Sequence, residues 1–129
     1  MNKILVEVSV GELLDKISIL EIKKEKISDS ESLKFIQKEY LILKEQLDQN
    51  IKSDNKIDEL FKSLKDINLK LWSIEDKKRM CEKNSDFGDE FIKLSRDIHF
   101  LNDSRSKVKL EINKYTGSQI REIKEYTEY

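Results

Sequence analysis

The 129-residue sequence has no proline, no alanine, three glycines, one cysteine and one histidine. Without proline, nothing forces a helix to break from within. The lone Cys81 excludes an internal disulfide, and the lone His99 excludes a two-histidine zinc site. No GxxxxGK[ST] or GxGxxG loop is present to cradle a phosphate. No uninterrupted apolar run approaches the ~18 residues of a membrane span, and no Pro/Gly/Ser-rich stretch separates two modules, so a single helical domain over residues 1–129 is expected. Lysine and arginine total 25 against 26 aspartates and glutamates. The two signs alternate along the chain without forming a basic face, which argues against nucleic acid as a partner. A membrane partner is not expected either. Glu7 interrupts the short apolar run of MNKILVEVSV, so it does not read as a secretory signal; with the unpaired cysteine this predicts a cytoplasmic protein.

What is present is helical periodicity. Residues 3–10, Lys-Ile-Leu-Val-Glu-Val-Ser-Val, are rich in β-branched residues and roughly alternate, which predicts a short strand over 3–8. Ser9 and Glu12 then have capping-box spacing. Val10, Leu13, Leu14, Ile17 and Leu20 follow at intervals of three and four, predicting a helix over 10–26. A second capping-box spacing, Ser28 to Glu31, precedes Leu33, Ile36, Tyr40, Leu43 and Leu47, a helix over 30–49. Ile57, Leu60, Leu64, Ile67, Leu71 and Ile74 form the seam of a third over 54–83. Phe91, Leu94, Ile98, Leu101, Arg105, Val108, Ile112 and Tyr115 form that of a fourth over 86–115, ending at Gly117 as a left-handed cap. The fold class expected is all-α, an antiparallel four-helix bundle or long helical hairpin with a short N-terminal strand and a C-terminal arm, 118–129. That arm has either weak helical spacing or the makings of an extended partner for the strand. The third and fourth helices are roughly 40 Å long at ~1.5 Å per residue. The first two are too short to cover them, so a homodimer is expected.

Only four of the basic residues are arginine. Where lysine is the default cation, a position that keeps arginine tends to need its planar fork of donors. Asn68, Trp72, Glu75, Asp76 and Arg79 share one face of the third helix beside its apolar seam. Arg105 occupies a seam position on the fourth, where it must either reach water or pair with a carboxylate, Glu75 or Asp76 being the expected partners. Trp72, Glu75, Asp76, Arg79, Asn102 and Arg105 are therefore expected to line a polar groove, with Lys16 and Lys23 of the first helix beside it. Glu12 and Asp15 with Glu75 and Asp76 are the candidate ligands for Mg²⁺. His99 lies next to the seam and reads as structural, and Cys81 has no feature that would activate it.

The segments Gly11-Glu12-Leu13-Leu14-Asp15-Lys16-Ile17-Ser18-Ile19-Leu20-Glu21-Ile22-Lys23, Asn68 through Arg79 and Leu101-Asn102-Asp103-Ser104-Arg105 resemble a family of small all-helical bacterial and phage proteins that has no established activity. The resemblance covers nearly the whole chain. It implies that Glu12, Asp15, Lys16, Lys23, Asn68, Trp72, Glu75, Asp76, Arg79, Asn102, Asp103 and Arg105 belong together, and it implies a cell-surface glycan context. Three functions follow as expectations. The first is an accessory or binding protein whose groove takes a small anionic ligand, such as a sugar nucleotide or phosphate, or a partner protein. The second is a Mg²⁺-dependent phosphohydrolase. The third is a structural protein whose polar residues form a satisfied ion-pair network.

Overall fold

The computed structural model describes residues 3–129 and contains four helices: α1 (Val10–Lys26), α2 (Ser30–Asn50), α3 (Asn55–Lys83) and α4 (Asp89–Thr116). Local chemistry sets most of their ends. Ser9 caps α1 by accepting from the Glu12 amide, but the capping box is only half made, because the Glu12 carboxylate turns away to Lys109. Asp29, rather than Ser28, caps α2 by accepting from Ser32, and Asp54 caps α3 through Ile57. At the α3–α4 turn Ser85 takes up a left-handed φ of 52°, and α4 starts at Asp89, later than the expected residue 86. Gly117 is left-handed (φ 68°) where Ser118 N–H closes onto the Asn113 carbonyl.

The α3–α4 hairpin is antiparallel, as the cross-pairs Lys56 with Glu111, Asn68 with Arg105 and Lys78 with Phe91 require. The helix α1 lies along this hairpin and touches all three other helices, whereas α2 packs on α1 and approaches the rest only near its end. The core follows from that arrangement: Leu14, Ile57, Leu60, Leu64 and Ile112 are buried together, with Val10, Leu47, Phe61 and Val108 packed around them. Burial extends to several sides of α1, including Leu14, Ile17, Leu20 and Ile22, the pattern of a helix that is apolar on most of its circumference. By contrast only Ile36 of α2 is buried.

The N-terminal strand expected over 3–8 is not formed. Among the described residues there is no strand for it to pair with, and a lone strand leaves its backbone groups unsatisfied; Ile4, Leu5 and Val6 are 89%, 89% and 76% exposed. The C-terminal arm is neither helical nor a partner for that segment. It turns back along α4, where Glu122 meets Lys109, the Tyr129 hydroxyl donates to Asp103, and the Tyr129 ring lies 5.0 Å from that of His99. No helix among the described residues is long and apolar enough to cross a membrane.

Candidate functional site

Gly11 brings α1 against α4. A Cβ there would stand 2.6 Å from the Lys109 carbonyl oxygen, and the Gly11 amide donates to the Asn113 side-chain oxygen at 2.7 Å. This close approach sets a row of polar side chains between helices that are otherwise joined by apolar contacts. Lys109, buried at 8% exposure, reaches Glu12 at 2.6 Å, Asp15 at 3.8 Å and Glu122 of the arm at 3.1 Å. Burial disfavours its charge, but hydrogen bonds to Glu12 and Glu122 and the nearby Asp15 outweigh that and raise its pKa. Reciprocally, the bond from Lys109 lowers the pKa of Glu122.

Asp15 also faces α3. The buried Asn68 amide donates to Asp15 Oδ1 and to Ser18 Oγ, both at 2.8 Å, and the Ser18 hydroxyl donates in turn to the Asp15 carbonyl. Two acceptors on the nitrogen side fix the amide's orientation, since a flipped amide would set oxygen against a carboxylate. The Asn68 oxygen is thereby turned to Arg105, whose Nη1 donates to it at 3.4 Å. No buried side-chain nitrogen or oxygen among the described residues lacks a partner.

Beyond Arg105 lies a cleft of about 430 Å³, formed by Ile19 and Ile22 of α1, Asn68, Leu71, Trp72, Glu75, Asp76 and Arg79 of α3, and Arg105 of α4. Five of the expected groove residues, Trp72, Glu75, Asp76, Arg79 and Arg105, thus line one cavity. Arg105 does not pair with Glu75 or Asp76 as expected. Among the described residues neither of these carboxylates nor either arginine has an ion-pair partner within 4.0 Å. Asn102, half-buried on α4, lies outside the lining, as do Lys16 and Lys23. Lys16 is a surface residue 3.9 Å from Glu12.

The four carboxylates expected to hold Mg²⁺ are not assembled. Glu12 and Asp15 are turned to Lys109, while Glu75 and Asp76 lie at the cleft. Among the described residues no group of three or more His, Cys, Asp or Glu side chains comes together as metal ligands. The Cys81 thiol is pushed up in pKa by burial and then by Asp86 and Glu90, which disfavours the nucleophilic thiolate. Spacing along the sequence singled out none of Ser18, Lys109 and Asn113 as site residues. The available signal was a polar row at intervals of four on α4, which begins at Arg105 in the seam and continues through Lys109 and Asn113, each one residue past the apolar seam positions Val108 and Ile112.

Residues 4–128 match the family described as Family of unknown function (DUF6165). No curated protein and no solved structure matches the chain.

Proposed function

We propose that this chain, which belongs to the DUF6165 family of unknown function, is an accessory or binding protein whose cleft between α1, α3 and α4 takes a small anionic ligand carrying a ring, of the sugar-nucleotide or sugar-phosphate class. The observation that carries this reading is Arg105. Its guanidinium is half-buried at the cleft, held in place by Asn68, and has no carboxylate within 4.0 Å among the described residues. An arginine intended only to lock helices would be expected to meet the carboxylates opposite it.

The other lining groups fit the same ligand. Arg79 adds a second guanidinium able to bind a phosphate or carboxylate through two parallel hydrogen bonds. Trp72 offers a flat apolar face for a base or sugar ring. Glu75 and Asp76 are acceptors for ligand hydroxyls. Ile19, Ile22 and Leu71 supply the apolar wall usual in a small-molecule pocket. The network of Asp15, Ser18 and Asn68 behind Arg105 preorganises its position, which reduces the ordering cost of binding. The separation of the four carboxylates favours this reading over a metal-dependent hydrolase.

Calorimetric titration with a panel of nucleotides, sugar nucleotides and sugar phosphates tests the proposal. At least one member is expected to bind and to raise the melting temperature. Arg105→Met, which keeps the stem and removes the fork, should weaken that binding by ~10-fold or more, in line with ~1.5–3 kcal/mol for a hydrogen bond to a charged group. Absence of binding across the panel, or equal affinity in Arg105→Met, overturns it.

A further inference from the structure

Residues 3–8, Lys-Ile-Leu-Val-Glu-Val, are mostly apolar and exposed, and make no backbone hydrogen bond to any other described segment. A segment of this composition with free amides and carbonyls is a template for strand pairing. The occupant can be read from its charges. If two copies pair antiparallel about Leu5, each Lys3 stands opposite Glu7 of the second copy, Ile4 stands opposite Val6, and Leu5 meets its own equivalent on the two-fold axis. Parallel pairing would instead set lysine on lysine and glutamate on glutamate, which is unfavourable for directly opposed charges. The segment is therefore complementary to itself in one orientation and one register, and Ile4 and Val6 fall together on a single apolar face of the resulting ribbon.

We infer that residues 3–8 form an intermolecular antiparallel ribbon with a second copy of this chain, with Lys3 and Glu7 setting its register. The strand expected over 3–8 then has its partner in the same strand of another molecule, a ground for dimerisation separate from the uncovered α3–α4 hairpin. A ribbon this short makes a small interface, so the dimer is reversible and concentration-dependent.

Sedimentation equilibrium of the full chain should show an average mass rising with concentration from 15.3 kDa towards twice that value. The double variant Leu5→Pro/Val6→Pro removes amides on both edges of the strand. It should remain at 15.3 kDa with unchanged helical circular dichroism, since the helices do not rest on this segment. Lys3→Glu places two pairs of like charges across the ribbon and should weaken association several-fold. Lys3→Glu/Glu7→Lys re-creates both opposite-charge pairs and should restore it. A wild-type chain that stays monomeric at a few hundred micromolar, a dimer that survives the double proline variant, or a charge swap that fails to restore association each overturn the inference.

Discussion

Gly11 is the residue at which the α1–α4 interface is most sensitive to a single atom. Its added Cβ would meet backbone, the Lys109 carbonyl at 2.6 Å, and backbone cannot swing aside as a side chain can. Replacing it with alanine gains at most ~1 kcal/mol of helix propensity. Forcing two packed helices apart costs about 1–3 kcal/mol. Gly11→Ala should therefore lower the urea midpoint of unfolding; an unchanged or higher midpoint would contradict the tight approach. Glu122 and Lys109 together set a pH window for the arm. Glu122 has its pKa lowered by the bond from Lys109, so its contribution is complete above its ordinary value of 4.5 and is lost as pH falls through the lower native value. The Lys109 pKa is raised, burial notwithstanding, so its contribution is complete below 10.5 and is lost as pH rises through the higher native value. Between these limits the arm is docked. Acidification through the lowered Glu122 value should release it, and the NMR shift that the Tyr129 ring imposes on Phe100, 5.3 Å away, should collapse before the helical signal does. At this scale the sequence exposed Trp72, Glu75, Asp76 and Arg79 as sharing a face of α3, and Arg105 as a charged residue in the seam of α4, because three- and four-residue spacing follows from helix geometry alone. It could not place Glu12 and Asp15, whose partner Lys109 is 97 and 94 positions away and is met only when α1 lies against α4.

The helices themselves differ in what holds them. With one buried residue and packing chiefly on α1, α2 depends on its own caps and surface pairs, a regime in which isolated helices are marginal. Its amides should exchange fastest of the four helices in native-state hydrogen exchange, and protection equal to that of α3 would contradict its peripheral place. The two aspartate caps extend the comparison. Asp54 caps α3 and also accepts from the Tyr115 hydroxyl at 2.6 Å, tying the start of α3 to the end of α4. Asp54→Ala should lower global stability, seen as a fall in the midpoint of denaturant titration. Asp29→Ala should mainly fray α2, seen as faster exchange there. The periodic seams were legible because each helix carries its own apolar stripe. The residues 3–8 misled because alternation signals a strand only when a partner exists, and that partner is a tertiary or quaternary matter.

In the molecule as a whole, α1 is the helix that touches all three others, and the cleft exists because α1 lies against the hairpin beside Arg105. Its five sequence-predicted lining residues come from two helices; their joint presence at one cavity depends on that packing, as does the orientation of Asn68 that holds Arg105. The arm adds a further link, since Glu122 grips the same lysine that faces Asp15. The sequence by itself determined four helices, their approximate ends, their apolar faces and the small set of arginines worth attention, because capping and 3.6-residue periodicity are local properties of the chain. Only the tertiary structure decided which polar faces meet. Asp15 was turned to Lys109 and Asn68 rather than towards Glu75 and Asp76, and Arg105 was left facing an open cleft rather than a carboxylate. The reason is physical: helical spacing fixes where a side chain stands on its own cylinder, whereas the contact it makes depends on how closely and at what rotation another cylinder approaches, and here a single missing Cβ at Gly11 sets that approach.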